Sequence, residues 1–384
     1  MQVVGLFAGI GGIELGLRQA GLTSELLCEV DPGAQRILRK RFPGVSLAED
    51  VRKLRAIPKV DLLAAGFPCQ DLSQAGRTAG IEGRESGLVG EVFRLIDRRG
   101  SAPRWLLLEN VPFMLQLQSG RAMQYLVSEL EARGYAWAYR VVDARAFGLP
   151  QRRQRVLLLA SRSEDPRPVL FHGAVNEPEA PHYDKVACGF YWTEGTRGLG
   201  WAVDAVPTLK GGSTLGIPSP PAIRLPREGR IVTPDIRDAE RLQGFPPDWT
   251  LPAVQDPRER KGARWRLVGN AVSVPVARWI GERLRRGTSH EIHRETPLAL
   301  SEAWPKAAWG RKGKAYRVES SLWPVCEPYQ HLADFLTHPV ASLSIRATAG
   351  FLARAQMSSL RFPTGFLQDV REHAARSRRE LIRV

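Results

Sequence analysis

Apolar residues fall along the first part of the chain in short bursts, each closed by glycine or by an acidic side chain. Residues 3–7 form one burst, ending at Gly9-Ile10-Gly11-Gly12, after which Ile13, Leu15 and Leu17 begin a helical stretch. Residues 26–31 read as a second strand with Glu29 and Asp31 at its carboxyl end, and 34–42 as the helix that follows. Further runs lie at 60–65, 105–108 and 156–160. Buried apolar strands alternating with helices predict an α/β fold with a mostly parallel sheet. Such sheets carry ligands beyond the carboxyl ends of their strands. Those ends here hold Gly9, Glu29, Asp50, Cys69 and Glu109.

The texture changes after residue 160. Residues 161–235 are rich in Gly, Pro and Arg with weak periodicity, as in Gly211-Gly212-Ser213, and predict a loop-rich domain of short strands. Compact motifs return over 236–280, and 275–285 reads as a helix able to pack back on the first lobe. The expected division is a first domain over 1–160, a second over 161–260, a return segment over 261–287, and a basic C-terminal extension over 288–384 with apolar patches at 332–336 and 362–366. No internal repeat is visible.

Composition narrows this picture. The 384 residues are 43% hydrophobic and 25% charged, as in a folded globular protein. The net charge of +15 implies a polyanionic partner, since phosphate contacts supply affinity without sequence selectivity. No apolar run reaches the roughly 18 residues of a membrane span, and the first strand begins without the basic region of a signal peptide. Four scattered cysteines with no CxxC pair fit a reducing cytoplasm better than a disulfide framework, and neither they nor the seven histidines point to a metal.

The strand ends carry the candidate chemistry. Gly9, Gly11 and Gly12 let a ligand approach the backbone near a helix N-terminus, although the spacing is not GxGxxG and a purely structural turn is the alternative. Glu29 can take both hydroxyls of a ribose. Asp50 can accept from an adenine amino group or simply cap a helix. Cys69, in Gly66-Phe67-Pro68-Cys69-Gln70, reads as a reactive thiol at a strand end or as an inert buried one. The glycines at 76, 80, 83, 87 and 90 beyond it read as a closing lid or as plain surface loop. Glu109 stands where a carboxylate is rarely placed for packing. Gln151, Arg153 and Arg155 share one face of an extended segment and offer donors to phosphate or support to the site, or form a solvated charge run.

These motifs, in this order, resemble the DNA cytosine-5 methyltransferase family of bacterial restriction–modification type. Phe7-Ala8-Gly9-Ile10-Gly11-Gly12 looks like its opening cofactor motif, and Glu29-Val30 and Asp50-Val51 like the next two cofactor contacts. Gly66-Phe67-Pro68-Cys69-Gln70 looks like the catalytic loop, Glu109-Asn110-Val111 like the motif of the catalytic glutamate, and 151–155 like the motif whose arginines help form the active site. Residues 237–246 and 269–275, with Asn270, Ala271 and Val272, resemble the two closing motifs. The resemblance spans roughly residues 1–285 and leaves the extension without a role.

The resemblance implies a Rossmann-like, S-adenosylmethionine-dependent methyltransferase fold with a smaller target recognition domain. It implies catalysis by Cys69, Glu109, Arg153 and Arg155, and cofactor binding by the opening motif together with Glu29, Val30, Asp50, Val51, Gly66, Pro68, Asn270, Ala271 and Val272. DNA contact falls to Gln70, Ser73, Gln151, Arg237, Arg241 and Gly244. Cys69 would add to C6 of a flipped cytosine while Glu109 acts at N3, without a metal. The implied partner is double-stranded DNA, bound by a monomer in the bacterial cytoplasm, with a cognate restriction or phage-defence system open. Two alternatives stand beside it. An RNA methyltransferase of the same family would carry a Cys-Phe-Thr signature, which is not found, and a silent DNA-binding scaffold would have lost one of the four catalytic residues.

Overall fold

The computed structural model describes residues 1–67, 87–98, 100, 102–212, 218–226, 229–254, 262–287, 294–299 and 302–382. They divide into two units. The first comprises Met1–Ala146, Gln154–Glu177 and Val272–Cys326; the second comprises Phe147–Arg153, Pro178–Ala271 and Glu327–Val384.

The first unit is built on a ten-stranded sheet. Five strands, β1 (Gln2–Leu6), β2 (Thr23–Cys28), β3 (Ser46–Ala48), β4 (Leu62–Ala65) and β5 (Trp105–Asn110), run parallel in the order β3-β2-β1-β4-β5. All four residues of β4 and all six of β5 are buried, which is why both read as unbroken apolar runs. Beyond β5 the sheet turns antiparallel through β6 (Ala136–Asp143) and β7 (Gln154–Ser161), in the order β5-β7-β6. The C-terminal extension then adds β8 (Glu295–Pro297), β9 (Ala307–Arg311) and β10 (Lys314–Val318), in the order β6-β9-β10-β8. Only the half that holds the strand-end stations is parallel; the expected mostly parallel sheet is a mixed one.

The helix Val274–Arg286 packs on the helix Gly12–Gln19, and of the expected return segment the residues from Val272 onward lie in the first unit. Close approach between them demands small residues. A Cβ on Gly16 would sit 2.4 Å from the Val274 carbonyl, and one on Gly281 would sit 2.7 Å from the Ala20 Cβ.

The second unit contains a five-stranded antiparallel sheet of short strands, in the order Trp201–Val203, Cys188–Phe190, Ala222–Arg224, Ile231–Thr233 and Ala341–Ser342. Its core joins Phe190, Ala222 and Ile231 to Leu343, Phe351, Phe366 and Val370, with the Phe190 and Phe351 ring centroids 4.6 Å apart. The last three lie on the helices Ile345–Met357 and Phe366–Ile382 or between their ends. The extension is therefore not one appendage. Its first part extends one sheet and its second part supplies one wall of the other unit's core.

Candidate active site

The turn after β1 holds three left-handed backbone positions within five residues: Phe7 (φ 56°), Gly9 (φ 55°) and Gly11 (φ 84°). The two glycines answer different demands. A Cβ on Gly11 would meet the Phe42 ring at 2.5 Å, whereas one on Gly9 would meet nothing within 4 Å. Gly11 is thus fixed by packing, and Gly9 borders open space where a ligand can reach the backbone. The Gly11 N–H donates to the Ala8 carbonyl at 2.8 Å, closing the turn that launches the helix.

Glu29, just past β2, is held by that turn. One carboxylate oxygen accepts from the Gly9 N–H at 2.7 Å and the other from the Asp31 N–H at 2.8 Å, while Gln35 Nε2 donates to the Glu29 carbonyl at 2.7 Å. Burial raises the Glu29 carboxyl above its ordinary range, against these backbone donors. Val30 beside it is 64% exposed, an apolar surface next to a carboxylate. Asp50 caps the short 3-10 turn Val51–Lys53 and pairs with Arg52 at 2.8 Å, whose guanidinium holds its carboxyl low. The capping reading of Asp50 is the one its contacts display.

These groups fit a cationic adenine nucleoside such as S-adenosylmethionine. They offer open space over Gly9, a fixed carboxylate with lone pairs for ribose hydroxyls, an apolar wall at Val30 and acidic surroundings for positive charge. Not every expected contact faces that space. Ile10 and Val51 are buried at 1% and 4% exposure, so a ligand would meet the Ile10 backbone and not its side chain. Val51 is a core residue beneath Asp50.

Glu109 and Gly66 meet across β4 and β5. A Cβ on Gly66 would lie 3.4 Å from Glu109 Oε2 and 3.6 Å from Val272 Cγ2, so the missing side chain leaves room for the carboxylate. Arg155 Nε pairs with the buried Glu109 at 2.9 Å. Asn110, next in sequence, donates through Nδ2 to the Phe67 carbonyl at 3.0 Å and accepts from the Val111 N–H at 2.8 Å. It thereby clamps the chain two residues before Cys69. Pro68, Cys69, Gln70 and Ser73, and the lid glycines 76, 80 and 83, lie outside the described residues; Gly87 and Gly90 fall in the helix Gly87–Ile96.

Sequence reasoning missed one buried acid. Glu14 is 1% exposed, and a Cβ on Gly5 of β1 would overlap its carboxylate at 2.2 Å. Its Oε2 has no hydrogen-bond partner among the described residues, and burial pushes the carboxyl up to about 8, with Glu29 adding to the push. The signal was available, because position 14 falls on the apolar stripe of Ile10, Ile13 and Leu17.

Several expected site residues lie in the second unit and are spoken for there. Gln151 is fully buried, donating to the Leu242 carbonyl at 2.7 Å and accepting from the Leu209 N–H at 2.9 Å. Arg153, at 2% exposure, donates to the carbonyls of Leu209, Gly269 and Ala271. Both hold loops in place, the supporting role that stood beside phosphate contact in the sequence. Arg241 pairs with Asp238 at 2.7 Å and lies over the Phe335 ring, and Arg237 pairs with Asp235 at 2.9 Å. Gly244 (φ 84°) ends the helix Ile236–Arg241, with the Phe245 N–H reaching back to the Glu240 carbonyl at 3.0 Å. The expected DNA contacts Arg241 and Gly244 thus have structural work of their own. Asn270 is exposed and lies against Gly211, where a Cβ would come within 2.2 Å of Oδ1. Asn270 and Ala271 close the second unit and Val272 opens a segment of the first. Among the described residues no three His, Cys, Asp or Glu side chains are grouped to hold a metal, and no helix is long and apolar enough to cross a membrane.

Comparison with known proteins places this geometry. Residues 1–195 match the family model of C-5 cytosine-specific DNA methylases. The chain is 53% identical over 363 residues to the type II methyltransferase M2.BsuMI of Bacillus subtilis (strain 168), covering 92% of this chain and 93% of that protein. It is 30% identical to the type II methyltransferase M.NlaX of Neisseria lactamica, covering 75% and 97%. Among solved structures, the Dnmt2 methyltransferase of S. pombe superposes with a TM-score of 0.54 at 15% identity, covering 75% of this chain and 99% of that one, a likeness of fold.

Proposed function

The chain belongs to the C-5 cytosine-specific DNA methylase family, with its S-adenosylmethionine-dependent chemistry, and from that premise we propose that it methylates C5 of a flipped cytosine within one specific duplex DNA site through a covalent Cys69 adduct. One relative, at 53% identity, is a type II methyltransferase, which supports a role in a restriction–modification or related phage-defence system for this chain. The observation that carries the reading is the Glu109 carboxylate, paired with Arg155 and lying against Gly66 at the head of the segment that leads to Cys69.

Cytosine C5 is a poor nucleophile until another nucleophile adds to the ring. The Cys69 thiolate forms an S–C6 bond, and the displaced electron pair is delocalised over C5 and N3. Glu109, in its protonated form, meets that charge by donating its proton to N3, and Arg155 fixes where the carboxyl group points. Bound cofactor supplies an electrophilic methyl group for C5. Removal of the C5 proton then drives β-elimination, breaking the S–C6 bond and returning the thiolate. Glu29 and the open backbone at Gly9 are the groups that bind and orient the cofactor. Arg153 holds the 209 and 269–271 loops through their carbonyls.

The test is whole-genome bisulfite sequencing of a methylation-free bacterial host expressing the chain, beside one expressing Cys69→Ser. A recurrent methylated motif in the first host alone is expected. Equal methylation in both would remove the covalent mechanism, and none in either, from soluble protein, would remove the DNA activity.

A further inference from the structure

The first unit carries a cavity of about 410 Å³ at the end of its sheet away from the strand-end stations. Ser161, one of its lining residues, pairs with Trp105 at the start of β5, whereas Glu109 lies four residues further along that strand. At about 3.3 Å per residue the two places are on the order of 13 Å apart or more. The walls are the segment that follows β7 and the β9–β10 hairpin contributed by the C-terminal extension.

The lining is strongly and unevenly charged. Five cations, Arg162, Arg167, Arg311, Lys312 and Lys314, face two acids, Glu164 and Asp165. Both acids are already engaged, Glu164 by Arg104 and Asp165 by Arg167 at 2.6 Å. Arg167 is further occupied by Glu295 at 3.5 Å and lies 4.1 Å over the Trp309 ring. Arg311, Lys312 and Lys314 are exposed and make no ion pair or side-chain hydrogen bond among the described residues. They crowd a turn that gains nothing from their mutual repulsion.

That turn is also rigid. Lys312 (φ 52°) and Gly313 (φ 76°) are both left-handed, and the Gly313 N–H donates to Glu131 at 2.6 Å. Trp309 and Tyr316, cross-strand partners with ring centroids 4.7 Å apart, form a stacked base beneath it. The indole N–H of Trp309 is shielded from solvent and donates to nothing among the described residues. A concave surface with three cations that form no ion pair among the described residues favours a compact polyanion with several acceptor oxygens.

We propose that this cavity is a phosphate-ester site, distinct from the methyl-transfer site, filled either by backbone phosphates of DNA outside the target or by a free phosphate compound. The proposal does not rest on the methyltransferase reading, because one arm of its test involves neither DNA nor methyl transfer.

The test compares wild-type protein with the triple variant Arg311→Glu, Lys312→Glu, Lys314→Glu, and with an equal-charge control, Arg371→Glu, Arg378→Glu, Arg379→Glu, at exposed positions of the helix Phe366–Ile382. Fluorescence anisotropy of a labelled duplex across a salt series forms one arm. Calorimetric titration with inorganic pyrophosphate forms the other. If backbone phosphate is the ligand, the hairpin variant flattens the salt slope by about two to three, more than the control does. If a free phosphate compound is the ligand, pyrophosphate binding falls at least about tenfold in the hairpin variant and holds in the control. Equal behaviour of the two variants in both arms would overturn the site.

Discussion

At the residue scale, two buried polar side chains of the first unit, Asn110 and Glu14, make different predictions. Asn110 clamps the Phe67 carbonyl and touches no candidate ligand surface, so it is a positioning residue for Cys69. Asn110→Ala should lower kcat by about tenfold or more, as loosely held catalytic groups do, with cofactor affinity by calorimetry unchanged; an unaltered kcat at saturating DNA would cancel that role. Glu14 acts on stability instead. Its folded carboxyl titrates near 8 against an ordinary 4.5, so between those pH values the folded state holds a proton that the unfolded chain has released. Stability from this group is whole below about 4.5 and declines as pH rises toward 8, by about tenfold in the folding constant per unit at most. Glu14→Gln should therefore melt progressively higher than wild type as pH goes from 5 to 8, and parallel melting curves would contradict it. The burial of Glu14 was legible in its apolar stripe, whereas the clamp made by Asn110 reaches a carbonyl 43 positions away and was not. Gln151 and Arg153 are both buried, and their donors are taken up by carbonyls far away in sequence, which no local pattern displays.

At the element scale, the opening turn separates packing from binding. Gly9→Ala places a methyl group into open space at a left-handed position, costing about 1–2 kcal/mol of backbone strain. Gly11→Ala adds to a comparable strain an overlap with the Phe42 ring. Cofactor affinity should fall more in the first and melting temperature more in the second, measured by calorimetry and thermal denaturation on both proteins. β1, β4 and β5 were legible as apolar runs because both faces of each are covered, and β2 through its buried carboxyl end. β6 was not, since its run Ala-Trp-Ala-Tyr-Arg-Val-Val-Asp carries Arg140 at 0% exposure, with its guanidinium satisfied by the carbonyls of Ser321, Leu170 and Gly173. A charged residue that finds its partners 30 to 181 positions downstream hides a core strand from any local pattern. β9 is similar: Gly310 lacks a side chain because a Cβ there would strike the Trp137 ring at 2.3 Å.

At the scale of the whole chain, the basic extension turned out to be structural in both units. Removing Glu327–Val384 would strip Leu343, Phe351, Phe366 and Val370 from a core that also holds Phe190, Ala222 and Ile231. The truncated protein should bind a hydrophobic dye and be cut by protease across 178–271 while the full chain resists. Equal protease resistance would show that the short strands stand without those helices. The catalytic motifs were readable because each lies in a few adjacent residues at a strand end. The role of the extension was not, because its apolar patches make sense only beside residues more than a hundred positions earlier.

The antiparallel pairing of β9 with β6 sets an order of events at the ribosome. β6 is complete once residue 143 has emerged, but the strand that covers its free edge ends only at Arg311. At about 5–20 residues per second the nascent chain exposes that edge for roughly 8 to 34 seconds, an open invitation to pair with a neighbouring chain on the same message. The yield of active enzyme in a cell should therefore depend on how fast codons 144–311 are read and how crowded the polysome is, quantities no property of the finished protein records.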